Sequence, residues 1–421
     1  MERQKVKTSK YNLIVKNGIN SFIIHNMLSK NTILINNKEL KLLKSLEDPV
    51  FNSKMIEYGF LVAEDTDETQ VALNENDDAC NDMSYMNITL IPSFGCNLKC
   101  KYCYQNGAKI NKMSEKSQEG FIRFIKKRLI DLKCNSFHLS WFGGEPLMFS
   151  GIVIKISKTL KNFCEQNFIN FSCSISTNLT LFNEELIETF KDINVTRIET
   201  TLVGEEKAHN LLRPTANGSN LYLKTFNSIL LVAQHFTTMV NINFCKENYF
   251  SIKRLIKNLS KQKMNNLYLN FNEIVNYKQN RQQCKQFKNT EKIKLKLFSY
   301  ALKNKLQICD ITNFCGSAMF CPQYHKNSFA VDSELNIYKC TEKCDDSTRF
   351  AIIESKTGEM KLLHNNRKNF SDEYKCVNCH FLPYCNGGCT IKRQQKEKPC
   401  PSELDSVNKY LKLFVKRESL K

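Results

Sequence analysis

An α/β chain with a parallel sheet at its centre is what the sequence predicts, on three observations. Strand-like segments recur from residue 86 to about 271, amphipathic helical stretches separate them, and the alternation stops near residue 306, where cysteines become dense. Strands spaced in this way imply βα units and a curved or closed parallel sheet, with chemistry at the carboxyl ends of its strands. Strands are expected at 87–91, 136–141, 170–176, 196–201, 240–244 and 267–271, with helices such as 114–132 and 184–191 between them.

Ahead of this region the pattern differs. Short strands at 11–15, 21–25 and 32–35, a helix at 38–46, then a further helix and strand to about residue 62 read as a small αβ unit. Acidic, polar stretches at 64–68 and 74–78 read as a linker. A length of 421 residues exceeds what one core usually supports. The expected division is 1–73, a linker at 74–85, the βα region at 86–305 and a cysteine-rich region at 306–421.

Composition excludes several classes. No apolar run approaches the ~20 residues that span a bilayer, and the basic N-terminus lacks the apolar stretch of a secretory signal. A cytoplasmic protein without membrane association is expected. Nineteen cysteines without an export signal point to metal rather than disulfides. The net charge of +19 is spread along the chain rather than gathered on one arm, which favours solubility over a nucleic-acid site.

Directly after the first strand of the βα region come Cys96, Cys100 and Cys103. Three thiolates within eight residues can wrap one cuboidal iron–sulfur cluster, and without a fourth nearby cysteine one iron stays open to bind substrate or cofactor. The alternative is a zinc site completed by a distant ligand, although zinc sites usually pair cysteines as CxxC.

With Tyr102 before the third cysteine, this segment resembles the radical S-adenosylmethionine superfamily, whose signature is CxxxCxφC with an aromatic φ. Further family elements follow in order. Gly143, Gly144, Glu145 and Pro146 end the second strand, where the family contacts the methionyl amino group. Ser176 and Asn178 end the third, where it places contacts to ribose and carboxylate. Arg213 matches a family arginine that pairs with the carboxylate, as a guanidinium fork suits. The resemblance implies a partial (β/α)6 barrel, S-adenosylmethionine as cofactor, and reductive cleavage to a 5′-deoxyadenosyl radical that abstracts hydrogen. Val203 departs from the family, which commonly has Asp there.

The C-terminal run Cys376, Cys379, Cys385 and Cys389 is followed by Cys400 and preceded by Cys315, Cys321 and Cys340, eight cysteines in all. Two fully ligated cubane clusters need eight; a zinc module on Cys376, Cys379, Cys385 and Cys389 would leave four without a task. The arrangement resembles the SPASM extension of radical enzymes that modify peptides and proteins. That resemblance assigns Cys315, Cys321, Cys340 and Cys389 to one auxiliary cluster and Cys376, Cys379, Cys385 and Cys400 to the other, three [4Fe-4S] clusters in total. Leu335 stands where the family usually has Gly, and Cys344 supplies an extra thiol that competes with Cys340. Cys80, Cys134, Cys164, Cys173, Cys245, Cys284 and Cys309 are expected to be core or surface thiols.

The N-terminal unit resembles the winged-helix-like peptide-recognition domain of ribosomal-peptide maturases, implying a precursor peptide whose leader adds as a strand to a sheet edge. A flavodoxin- or ferredoxin-like reductant is the implied electron donor. The expected reaction is installation of a thioether or other cross-link. A sulfatase-maturing activity, which in that family goes with an Asp where this chain has Thr341, and epimerisation are the alternatives, as is a non-catalytic electron carrier. No general base emerges from His209, His325 or His380.

Overall fold

The structure is a computed structural model that describes residues 5–105, 108, 110–276, 283–309, 321–364, 376–394 and 396–418. The chain divides into two units.

The first unit comprises Met1–Asp82, Asp310–Lys326 and Arg367–Lys421. Strand β1 (Val6–Thr8) pairs antiparallel with β5 (Leu61–Ala63). Strands β2 (Asn12–Lys16), β3 (Ser21–Asn26) and β4 (Thr32–Asn36) form a separate antiparallel sheet in that order. Helix α1 (Asn37–Ser45) starts on a capping box: the Asn36 side chain accepts from Lys38 and Glu39 N–H, and Glu39 accepts from Asn36 N–H. Helix α2 (Pro49–Glu57) starts on Asp48, with Pro49 in its first turn, where a missing N–H costs nothing. Ile24, Ile35, Leu43, Met55, Phe60 and Leu61 make the core of this αβ unit.

The acidic stretch expected to link domains at 74–85 is instead largely helical, α3 (Glu68–Asn81). Ala72, Asn76 and Cys80, four residues apart, bury one face, while Glu75, Asp77 and Asp78 stay exposed. Asp67 caps the helix, and buried Glu68 accepts from Ser9 Oγ and from Lys10 N–H at 2.9 Å. The charges marked a solvated helix face, not a break in structure.

The second unit comprises Met83–Cys309 and Asn327–Asn366. Strands β6 (Tyr85–Leu90), β7 (Ser136–Trp141), β8 (Asn170–Ser176), β9 (Val195–Leu202), β10 (Thr237–Phe244), β11 (Leu267–Glu273) and β12 (Gln307–Ile308) run parallel and lie side by side in chain order. Helices α4 (Glu115–Asp131), α5 (Ser150–Gln166), α6 (Glu185–Asp192), α7 (Glu206–Leu212), α8 (Tyr222–His235), α9 (Tyr249–Ser260) and α10 (Thr290–Lys303) connect them.

Residues 327–366 fall with this sheet, not with the cysteine-rich segments beyond 367 expected to share a domain with them. Strand β13 (Ser328–Val331), buried along its whole length, pairs parallel with β6. Strands β14 (Asn336–Tyr338), β15 (Arg349–Ile353) and β16 (Met360–Leu362) extend the edge antiparallel. Buried Asp332 holds the β13–β14 turn, accepting from Glu334 and Asn336 N–H, Asn336 Nδ2 and Tyr338 Oη, all at 2.9–3.0 Å. Leu335, in place of the expected glycine, sits there at φ 69°. The left-handed backbone costs about 1 kcal/mol or more, offset by burial of its side chain against Gly120 of α4.

Parallel strands covered on both faces read as unbroken apolar runs. Here they alternate: Phe137, Leu139 and Trp141 of β7 are buried, while Ser136, His138 and Ser140 point the other way. The polar face is internally bonded. His138 lies between Ser172 Oγ (2.7 Å) and Ser174 Oγ (2.9 Å), and Asn241 Oδ1 accepts from Asn270 and Asn272 (3.0 and 3.3 Å). Burial, with Arg197 adding to it, pushes His138 down to about 4. An unfolded histidine titrates near ~6.5, so between these values the unfolded chain takes up the proton first and stability falls on acidification. The slope of melting temperature between pH 6.5 and 4 is expected to flatten in His138→Gln; an unchanged slope would show that this ring contributes nothing to acid sensitivity.

Candidate functional site

The loop after β6 is gripped from two sides. Gly144 N–H donates to Ser93 O and Glu145 N–H to Gly95 O, each at 3.1 Å. From the other side Lys99 N–H reaches Pro214 O (2.6 Å) and Lys101 N–H reaches Leu212 O (2.9 Å). These contacts bring the segments after β7 and α7 against the three cysteines. A Cβ on Gly144 would lie 2.1 Å from Gly95 O, and one on Gly143, at φ +124°, 2.4 Å from Ser93 O. Only glycine permits so close a backbone approach.

Cys96, Cys100 and Cys103 line a cavity of about 410 Å³, within the size range of small-molecule sites. Tyr102, Gly143, Gly144, Ser176, Asn178 and Arg213 line the same cavity. Glu145 and Pro146 do not. The buried Glu145 carboxylate instead accepts from Leu147 N–H (2.8 Å), Thr177 Oγ1 (2.7 Å) and Asn178 N–H (2.6 Å), joining the glycine loop to the end of β8. Burial raises its pKa despite those three donors. Its role is to position the cavity wall.

Asn178 Nδ2 faces Asn97 Oδ1 (2.9 Å) and Cys96 Sγ (3.7 Å), while its Oδ1 accepts from Thr180. Arg213 is only 9% exposed. Its Nη1 donates to Tyr102 Oη at 3.1 Å, and its Nε has no partner among the described residues. Burial opposes its charge, but Cys100 and Tyr102 beside it hold its pKa above the ordinary value. Burial pushes the Cys96 thiol up to about 11 and the Tyr102 phenol to about 12. A cationic, partly unsatisfied guanidinium beside three thiols fits a carboxylate-bearing cofactor bound at a cluster. His209 is buried against Tyr222 and pushed down to about 3 by burial and by Arg213, so it stays neutral.

Sequence reasoning missed several residues on the cavity wall. Asn243 and Glu273 stand at the ends of β10 and β11, Glu199 lies within β9, and Glu342 lies two residues beyond Cys340. Polar residues on the inward face in the second half of each strand were the available signal. The carboxylate absent at Thr341 is present at Glu342. Thr341 O instead accepts from Tyr104 Oη at 3.3 Å.

In the first unit Cys376, Cys379, Cys385 and Cys400 share one neighbourhood, in which burial and the adjacent thiols push Cys385 up to about 12. They pack beside an apolar cluster that includes Tyr11, Met27, Leu382, Tyr384 and Val407. Gly388 brings the chain before Cys400 close, since a Cβ there would lie 2.3 Å from Pro399 O. Of the other expected set, Cys321 and Cys389 lie near Tyr324 in this unit, Cys340 follows β14 in the second unit, and Cys315 is outside the described residues. Cys344 packs against an apolar cluster of Ile91, Ala330 and Tyr338, with its thiol 3.3 Å from Cys340 O. Among the described residues no three His, Cys, Asp or Glu side chains gather as a single metal ion requires, and no helix is long and apolar enough to cross a membrane.

Residues 90–259 match the radical SAM superfamily model. Over 142 residues the chain is 30% identical to the uncharacterized protein MJ0907 of Methanocaldococcus jannaschii, covering 33% of this chain and less than half, 46%, of that protein. A cysteine-type anaerobic sulfatase-maturating enzyme of Clostridium perfringens is 23% identical over 72% of this chain and 88% of its own length. A radical SAM cyclopropyl synthase of Paramaledivibacter caminithermalis is 20% identical over 72% of this chain and 67% of its own. In fold, the chain resembles native anSMEcpe with bound AdoMet and Cp18Cys peptide, with a TM-score of 0.61 at 17% identity over 80% of this chain and all of that one. Streptococcus suis SuiB bound to its precursor peptide SuiA gives 0.53 at 15% identity over 94% and 98%.

The backbone clamp predicts a sharp contrast between two glycines. Gly144→Ala is expected to cost about 1–3 kcal/mol through overpacking, measured by melting. Gly151→Ala, in helix α5 with nothing within 4 Å, should instead raise stability slightly, by about 0.4–1 kcal/mol.

Proposed function

We propose that this chain, which carries a radical SAM domain over residues 90–259, modifies a ribosomally made peptide, installing a thioether or other cross-link. Radical SAM chemistry rests on S-adenosylmethionine and a [4Fe-4S] cluster, whose electron breaks the sulfonium bond and yields a 5′-deoxyadenosyl radical. The observation that carries the cofactor assignment is the buried, partly unsatisfied Arg213 on the same cavity as Cys96, Cys100 and Cys103.

The chain's own residues divide the work. The three cysteines hold the cluster, Arg213 takes the cofactor's carboxylate, and Tyr102 fixes Arg213. Glu145 keeps the end of β8 in register with the glycine loop, so that Gly144, Ser176 and Asn178 form one wall. Phe94 and Phe142, also on the cavity, exclude water. Glu342 supplies a carboxylate on the remaining wall, where a proton released from substrate can be taken up.

A peptide substrate is supported by the fold likeness to SuiB, which spans 94% of this chain against 80% for anSMEcpe. The β2–β3–β4 sheet has two edge strands on which a leader can add. Two auxiliary clusters on the C-terminal cysteines would accept the electron left by net oxidation of the peptide, and a flavodoxin- or ferredoxin-like protein would supply the first one, in the cytoplasm. The match to a sulfatase-maturating enzyme supports a second reading, oxidation of one side chain in a protein without a cross-link.

Anaerobically reconstituted protein with Cys96, Cys100 and Cys103 all changed to Ala is expected to form no 5′-deoxyadenosine while retaining iron at the C-terminal cysteines; cleavage that survives would refute the assignment. Co-expression with a short peptide encoded beside this gene should give a product lighter by pairs of hydrogens. Unchanged mass with deuterium uptake from solvent would indicate epimerisation instead.

A further inference from the structure

We infer that Arg393 raises the reduction potential of the cluster held by Cys376, Cys379, Cys385 and Cys400. This rests on the reading of those four residues as cluster ligands. Arg393 lies in the short helix Thr390–Gln394, and its N–H donates to Cys389 O at 3.1 Å. Its Nε donates to Gly387 O at 2.8 Å, and its Nη2 reaches the same carbonyl. That Nη2 also donates to Cys376 Sγ at 3.1 Å. The fork is therefore tied to the backbone at one edge while touching a ligand sulfur.

The backbone is shaped for this contact. Asn386, Gly387 and Gly388 have φ of 42°, 84° and 76°, three successive left-handed residues in the turn that presents the Gly387 carbonyl. Left-handed backbone at a non-glycine residue is uncommon and costs energy, so Asn386 is held there by its surroundings. Cys376 itself is buried, 8% exposed. A charge-assisted hydrogen bond to a thiolate acts more strongly there than in water. Tyr324 lies near Arg393, Cys321, Cys376 and Cys389.

The sign follows from charge. A cluster gains one negative charge on reduction, and both the N–H···S bond and the adjacent cation stabilise that state more than the oxidised one. Hydrogen bonds to sulfur and local charge are among the determinants of cluster potential. Arg393 does not transfer electrons itself; it makes this cluster the better acceptor.

The test is a potentiometric titration of the full-length, anaerobically reconstituted protein, followed by electron paramagnetic resonance. In Arg393→Gln one cluster midpoint is expected to move to more negative potential, with Arg393→Lys between the variant and the wild type because it keeps charge without the fork. The cluster whose signal changes on addition of S-adenosylmethionine should not move. Pulsed resonance on wild-type protein with isotope-labelled arginine should show coupling between a guanidinium nitrogen and that same cluster, independently of any variant. Unmoved midpoints at wild-type iron content, or no nitrogen coupling, would overturn the assignment. Wild-type protein holding iron only at the first site would overturn the reading of the four cysteines as ligands, which the same iron measurement distinguishes.

Discussion

The site depends on a backbone contact between the Gly143–Gly144 loop and the cysteine-bearing loop after β6. Cys96, Cys100 and Cys103 lie on a loop that makes no regular structure of its own, so its shape must come from what grips it. Gly144 and Glu145 hold it through Ser93 O and Gly95 O, and Leu212 and Pro214 hold it through Lys99 and Lys101. A side chain at Gly144 would push the loops apart. The spacing of three cysteines is thus a necessary but insufficient description of the site. Their placement is a consequence of parallel strands whose ends converge.

Those strands carry a second constraint. Their outer face is apolar and packs on helices, while on the inner face His138 with Ser172 and Ser174, and Asn241 with Asn270 and Asn272, bond one another. An unbonded polar group there would cost more than the hydrogen bond it lacks is worth. Pairing across strands removes that cost below the cavity. At the strand ends Arg213 Nε lacks a partner among the described residues, and this is where a ligand has something to satisfy. Glu145 shows the opposite case, a conspicuous motif carboxylate whose oxygens are already engaged by the protein.

The C-terminal cysteines follow a different logic. They fold with the N-terminal αβ unit, around Tyr11, Met27 and Ala72, and not with residues 327–366 that lie between them in sequence. Strand β13 explains the division, since its parallel pairing with β6 commits residues 327–366 to the large sheet. The order of cysteines along the chain therefore conceals which fold with the N-terminal unit.

The sequence by itself determined strands β6 to β11 of the parallel sheet, because strand-like segments separated by amphipathic helical stretches are a local signal. It also determined the three-cysteine motif and the superfamily it resembles, because thiolate spacing and the aromatic at Tyr102 lie within eight residues. Tertiary structure decided what depends on distant partners. Residues 74–81 are helical because Ala72, Asn76 and Cys80 find a core to bury against, which charge density alone obscured. Glu145 is braced against the end of β8 because Thr177 and Asn178 reach it from another strand. Arg393 acquired the Cys376 sulfur as a partner for the same reason: no period or spacing in the chain announces a contact made across a fold.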